Sequence, residues 1–221
     1  VKFILRPFLP DMATKQLFEV LAKSRRSTAN FTAGHQIPTT ILRSILEVTL
    51  RTPTSFNLQP YCVVLAQTEE AKAALSDAML GGNKARVLNS SLTAVFLADT
   101  EPSKRLNALV DLERASGVRH PSYLAHLPLS ASFFTGEGTV LSNAIKSAAT
   151  SIISPVRPVP SASLSGASGW SNKNCGMAAM TFMYACEAEG LQTCPMEGYD
   201  SRRVREALRV PDRYEVCMAV A

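Results

Sequence analysis

Arg25-Arg26-Ser27-Thr28-Ala29-Asn30-Phe31 is the stretch that decides how the chain reads, and Pro53-Thr54-Ser55-Phe56-Asn57-Leu58-Gln59-Pro60 is its counterpart. The first closes a helical pattern with adjacent guanidiniums followed by adjacent hydroxyls. Arginine presents a planar fork of donors that matches phosphate oxygens, and serine and threonine hydroxyls add short donors beside it. Taken alone, the same residues also fit a solvated basic helix end, where the helix dipole favours cations. The second stretch lies between a helix and a strand and is dense in amides and hydroxyls able to bond the edge of a heteroaromatic ring. Taken alone, it also fits a plain Pro/Ser turn, with Gln59 structural.

Around these stretches the apolar pattern sets the elements. Ala13 to Ser24 carries Leu17, Phe18, Leu21 and Ala22 on one side, which predicts an amphipathic helix. Pro38 opens a second helix with Ile41, Leu42, Ile45, Leu46 and Thr49 on one face. Tyr61 to Ala66 and Leu92 to Ala98 are short continuous apolar runs, as expected of buried strands, with a helix from Glu69 to Met79 between them. Gly176 to Glu189 predicts a strongly apolar helix ended by Gly190, followed by a strand over Leu191 to Cys194 and a turn over Pro195 to Asp200. Ser201 to Leu208 reads as a basic helix, and a last strand follows Pro211. The block 101–169 differs: Thr150 to Gly169 is rich in Ser and Pro, and the block reads as an insertion of loops with one or two helices. Helices and strands alternate without an internal repeat, which gives an α/β or α+β class around a mixed sheet.

Bulk properties narrow the function. A chain of 221 residues, 46% hydrophobic and 19% charged, fits one soluble globular domain over 1–221 with the insertion at about 101–169. No apolar run approaches the roughly 20 residues of a membrane span. The net charge of +5 favours anionic ligands. Five scattered cysteines, with no C-x-x-C, argue for a reducing intracellular compartment and against a disulfide framework or a zinc site. Cys186 and Cys194 read as inert buried thiols, and Met177, Met180 and Met183 as core filling. His35, His120 and His126 lie apart from one another, so no metal site or nucleophilic triad is expected. Arg202, Arg203, Arg205, Arg209 and Arg213 lack interleaved aromatics, which favours a solvated helix face over nucleic-acid binding. Val1 to Pro10 carries Lys2 and Arg6 without an acid, as the remnant of a mitochondrial transit peptide would. A mitochondrial or cytoplasmic location follows. Tyr214 to Ala221 stops without a polar tail, and further sequence is expected beyond it.

The motifs RRSTANF, PTSFNLQP, GGNKARVLNSS (Gly81 to Ser91) and PMEGYD (Pro195 to Asp200), in this order, resemble the nitroreductase family of FMN-dependent oxidoreductases. The resemblance covers roughly 20–99 and 170–221 and lapses across the Ser/Pro-rich middle. It implies an α+β fold with a mixed central sheet flanked by helices, a homodimer, FMN as cofactor and NADH or NADPH as co-substrate. It also implies a quinone or nitroaromatic acceptor reduced in a ping-pong cycle. A reductive dehalogenase-like flavoenzyme and a non-catalytic flavin-binding scaffold are the alternatives.

Residue by residue, the resemblance assigns Arg25, Arg26 and Ser27 to the FMN phosphate. Thr54, Ser55 and Asn57 would reach the flavin from the partner subunit. Asn83 and Arg86 would approach its pyrimidine edge, where a cation stabilises the negative charge that reduction places on N1 and O2. Pro195, Glu197 and Gly198 would lie along the ring, with the Glu197 and Gly198 N–H groups toward O4 and N5; Gly198 permits the close approach. No side chain is assigned as a catalytic acid or base. Two departures stand out: Ala29 replaces the Lys or Arg of similar sequences, and the basic residues that follow their last strand are not present here. Tyr123, Phe133 and Phe134 are the aromatic candidates by which the insertion would shape access for the acceptor.

Overall fold

Thr93–Asp99, the run TAVFLAD, is buried at every position and forms β2, the strand around which the molecule is organised. The computed structural model describes residues 12–159 and 166–221; Val1 to Pro10, on which the transit-peptide reading rests, lie outside them. β1 (Tyr61–Ala66) pairs antiparallel with β2, from Tyr61 opposite Ala98 to Ala66 opposite Thr93. β4 (Tyr214–Val220) takes the other side of β2, and the two-residue β3 (Pro195–Met196) pairs outermost, giving the order β1-β2-β4-β3. These ladders are antiparallel. An isolated parallel bridge joins Ser27 to Thr193, just ahead of β3, outside these strands.

Each face of the sheet is covered by helices. On one side, α2 (Thr39–Leu50) and α8 (Gly166–Ala188) pack on Tyr61, Ala94, Phe96, Ala98 and Val220. Phe96 is fully buried, its ring edge-on to Phe182 at 5.5 Å. Deleting such a ring costs about 3–5 kcal/mol. On the other side lie α3 (Glu69–Ser76), α4 (Asn83–Asn89) and α9 (Ser201–Ala207), whose Leu75, Val87 and Val204 meet Val95, Leu97 and Ala219. α1 (Met12–Ser24) leans on α8, with Phe18 against Tyr184 at 5.8 Å.

The structure corrects several sequence expectations. The block 101–169 is mostly helical: a 3-10 turn at Pro102–Arg105, then α5 (Leu106–Ser116), α6 (Pro121–Phe134) and α7 (Val140–Ile153). Its helices gather a third core from Leu58, Leu106, Val110, Leu124, Leu127, Ala131 and Trp170, so tertiary burial overrides the Ser/Pro-rich composition. α8 begins at Gly166, ten residues before the expected Gly176. Its first turns bury Ser171 and Asn174 beside Trp170, a face that apolar periodicity does not register. The strand expected at Leu191 to Cys194 falls instead at Pro195–Met196, inside the expected turn, because β4 offers Val220 and Ala219 as partners there. Pro195, lacking an N–H, suits this edge position. α3 stops at Ser76 rather than Met79, since the Ala78–Leu80 backbone bonds Gly198 and Asp200 instead. Met183 is buried as expected, but Met177 is 40% exposed. Among the described residues, no helix is long and apolar enough to cross a membrane.

Candidate functional site

The first, third and fourth motifs converge at one corner of the sheet. The Thr28 N–H donates to the Thr193 carbonyl (3.0 Å) and the Thr28 hydroxyl to Gln192 Oε1 (2.8 Å), which fixes Arg25 to Ser27 beside the outer strand. α4 starts where the chain turns at Gly81, whose φ of +52° suits glycine. Lys72, 5% exposed, donates to the carbonyls of Leu88 and Ser90 and so holds the C-terminal end of α4 against α3. Asn83 Nδ2 donates to the Gly198 carbonyl at 3.0 Å, and the Leu80 N–H donates to the same oxygen at 2.9 Å. Arg86 bridges the two strips: its Nε–H reaches the Ala29 carbonyl at 3.3 Å and a terminal nitrogen donates to Asn83 Oδ1. A guanidinium therefore stands beside Ala29, where that side chain brings no charge.

The second motif sits at the diagonally opposite corner. The Asp99 N–H bonds the Pro60 carbonyl at 2.9 Å, which places Pro53 to Pro60 at the far end of β2 and at the β1 edge. At about 3.4 Å per residue, the length of β2 alone puts roughly 20 Å between the ends. Within one chain, Thr54, Ser55 and Asn57 therefore do not join Arg25, Asn83 or Gly198. The turn is held from behind: the Ser55 N–H donates to Asn174 Oδ1 at 2.9 Å, and Thr54 Oγ1 accepts from the Gln59 N–H at 2.9 Å. Phe56, Asn57 and Gln59 adopt φ of 57°, 57° and 46°. Such left-handed backbone is strained for these residue types and persists only where its surroundings over-determine it.

Sequence reasoning missed the lock behind this turn. Asp99 has no exposed surface and is bonded by both Arg105 and Arg213. Arg105 also donates to the carbonyls of Gln59 (2.7 Å) and Tyr61 (3.3 Å), which pins the second motif to the sheet. Burial pushes the Asp99 carboxyl up, but the Arg213 hydrogen bond, the Glu101 amide and the nearby guanidiniums outweigh it and hold the group below its ordinary value. The sequence pattern groups Arg213 with the basic surface cluster, but it bonds Asp99 instead, and the acid inside an apolar strand is the signal of that pairing. Arg202, Arg203 and Arg205 do form the expected solvated face, paired with Glu206, Asp200 and Asp212.

The residues at the first corner fit an anionic, planar cofactor. None of the ion pairs among the described residues involves Arg25, Arg26 or Arg86. A Cβ added at Gly198 would lie 2.8 Å from Asn83 Nδ2, so a side chain there would crowd the amide that bonds this carbonyl. A cavity of about 380 Å³ lies behind this corner, between α2 and α8, lined by Thr28, His35, Phe182 and Gln192 among others; Arg86 and Gly198 are not among its walls. Arg26 is exposed, and Arg25 and Arg86 are half-buried. No group of three or more metal-ligating side chains occurs among the described residues.

The Nitroreductase family profile matches residues 22–221. The chain belongs to the nitroreductase family. It is 25% identical over 204 residues to MhqN of Bacillus subtilis, a protein named for NAD(P)H nitroreductase activity, covering 92% of this chain and 86% of that one. It is 28% identical over 200 residues to a Thermus thermophilus protein named NADH dehydrogenase, covering 90% and 82%. Among solved structures, YdfN of Bacillus subtilis superposes with a TM-score of 0.74 at 25% identity, covering 93% of this chain and 87% of that one. A nitroreductase-type structure from Exiguobacterium sibiricum, solved in complex with FMN, superposes at 0.68 with 23% identity, covering 92% and 86%. This family member is an oxidoreductase of α+β architecture.

Proposed function

We propose that this nitroreductase-family protein binds FMN, takes electrons from NADH or NADPH and passes them to a quinone or nitroaromatic acceptor. It works as a homodimer, each chain a single domain over 1–221 that carries the 101–169 helices as an insertion. The observation that carries this reading is the division of the motifs between diagonal corners of one sheet. Neither corner holds all four motifs, and a two-fold pair would bring unlike corners together twice.

When bound, FMN supplies two-electron chemistry at N5, with the nicotinamide and the acceptor using the same cleft in turn. Arg25, Arg26 and Ser27 bind the phosphate, where charge-assisted hydrogen bonds offset the cost of desolvating the anion. Arg86 stabilises negative charge at the pyrimidine edge, and Asn83, oriented by the Gly198 carbonyl, sets the position of that edge. The N–H groups of Glu197 and Gly198 would bond the ring edge, with Pro195 fixing the strand that leads to them. Thr54, Ser55 and Asn57 of a second copy close the cleft and exclude water. Five free cysteines suit a reducing compartment.

An anaerobic titration tests the reading. The expected protein is yellow, is bleached by NADH or NADPH and is recoloured by a quinone. A colourless protein that cannot be reconstituted with FMN removes the proposal, and a yellow one that no nicotinamide bleaches leaves the scaffold alternative.

A further inference from the structure

α7 is turned inside out. In a helix on the surface of a water-soluble domain, the aliphatic face packs inward and the polar face meets solvent. Here Leu141, Ile145, Ala148 and Ile152 form one stripe, at steps of four, three and four residues, and all are exposed. The three larger side chains are 71%, 62% and 76% exposed. No aliphatic side chain of α7 joins a buried cluster of the described residues. The opposite face, with Asn143, Lys146 and Thr150, is the one that meets the protein. Asn143 is buried and donates to the Gly136 carbonyl at 2.8 Å. Lys146 Nζ donates to the carbonyls of Ser132 and Glu137 at 3.3 and 3.2 Å. These polar bonds fix the rotation of the helix and so hold the aliphatic stripe outward.

The charge around the stripe selects its occupant. No acidic side chain occurs from Gly138 to Cys186, a span that carries Lys146, Arg157 and Lys173. Arg157 follows Val156 just beyond α7, and both are exposed. A second copy laid face to face on the same stripe would set these cations against one another. An anionic lipid surface instead accepts the aliphatic side chains and the cations together. From Leu141 to Ile152 the stripe is about 17 Å long at 1.5 Å per residue, far short of a hydrocarbon core about 30 Å thick. Contact along the surface is therefore the geometry it fits.

We propose that α7 docks the protein on bilayers containing anionic phospholipid. Leu141, Ile145 and Ile152 enter the boundary between headgroups and acyl chains, and Arg157 meets the headgroup phosphates. Docking also delivers the acceptor, as a quinone dissolved in the bilayer; this second half rests on the functional reading above. α7 adjoins the proposed cleft through α6. Lys146 Nζ lies 5.9 Å from the centre of the Phe133 ring, Phe133 meets Phe134, and Phe134 is edge-on to Phe56 of the second motif.

The test is sedimentation of the full chain, with and without FMN, in the presence of two kinds of vesicle. One is phosphatidylcholine with phosphatidylglycerol, the other phosphatidylcholine alone. The protein should pellet with the anionic vesicles, and several-fold less with the neutral ones or in high salt. Leu141→Gln, Ile145→Gln and Ile152→Gln made together should abolish pelleting while circular dichroism and the oligomeric state stay as in the parent. Arg157→Glu, outside the helix, should weaken binding to the anionic vesicles only, and it decides the matter should the triple variant unfold. Failure of the parent to pellet, or parental binding by either variant, overturns docking by α7. A folded triple variant that changes its oligomeric state shows that a second copy covers the stripe, and this also overturns the proposal. For the second half, the triple variant should reduce a long-tailed quinone in anionic vesicles several-fold more slowly and a short water-soluble quinone at the parental rate. Parental rates with both overturn delivery from the bilayer. Pelleting needs no flavin, so a protein that binds no FMN fails the functional reading while docking is still decided.

Discussion

The Asn83 side-chain amide donates to the carbonyl of Gly198 at 3.0 Å, joining residues 115 positions apart. One bond thereby sets the distance between the start of α4, which carries Arg86, and the glycine segment at the sheet edge. The arrangement requires that position 198 have no side chain.

Gly198→Ala should therefore weaken FMN binding with the fold retained. The new Cβ would lie 2.8 Å from Asn83 Nδ2, so the amide must swing away and its bond is lost. The loss of one such bond, about 1–1.5 kcal/mol, corresponds to roughly tenfold in affinity. Asn83→Ala made in the same chain removes the clash, so the two changes together should cost less than their sum. Strictly additive losses in a fluorescence titration would show that the contact does not set the geometry.

Arg25→Ala should lose about 1.5–3 kcal/mol of FMN binding, roughly 10- to 150-fold, because a charge-assisted contact to the phosphate disappears. Asn57→Ala should be impaired from the other corner. Co-expression of the two variants gives a sharper readout. A mixed dimer has one site with both changes and one with neither, so a random mixture of dimers should recover about one quarter of parental activity. No recovery, or a fully active monomer in sedimentation, is incompatible with composite sites.

Asp99 predicts an acid-stability profile. Its folded pKa is lowered relative to its unfolded value, so its contribution is fully present above the unfolded pKa of about 4 and is lost as pH falls through the folded value. Asp99→Asn should cost about 3 kcal/mol at pH 7, the low end for breaking a buried pair, because both arginines are partly solvated. Its acid limb below about pH 4 should be shallower than the parent's. Urea unfolding at stepped pH gives both numbers, and parallel acid limbs would remove Asp99 as the titrating group.

The division between what could be read and what could not follows burial chemistry. Tyr61–Ala66 and Thr93–Asp99 announce themselves because strands buried on both faces are continuous apolar runs. The first half of α8 does not, since Ser171 and Asn174 are buried through polarity rather than despite it: Asn174 bonds both the Trp170 carbonyl and the Ser55 N–H. The gathering of Arg25, Asn83, Arg86 and Gly198 at one corner follows from segment order once β3 and β4 pair. Their separation from Ser55 and Asn57 was available only through the resemblance, because no local pattern states which end of a strand a turn occupies.

The insertion offers the last prediction, on acceptor choice. Phe134, 41% exposed at the end of α6, places its ring edge-on to Phe56 at 5.4 Å. Phe56 stands between Ser55 and Asn57, so the insertion touches the turn proposed to close the cleft. Phe133 meets Phe134 at 6.4 Å on one side, and Lys146 Nζ lies 5.9 Å from its ring centre on the other. These rings can stack on a planar acceptor, whereas the groups proposed to hold the cofactor lie on other elements. Replacing Phe133 and Phe134 by Ala removes aromatic contacts worth about 0.5–1.5 kcal/mol each, a two- to tenfold change per ring. The kcat/KM values for quinones and nitroaromatics should therefore change unequally, while the rate of flavin reduction by NAD(P)H stays near that of the parent. Stopped-flow measurement separates the half-reactions, and equal losses in both would mean that the two rings support the fold rather than select the acceptor.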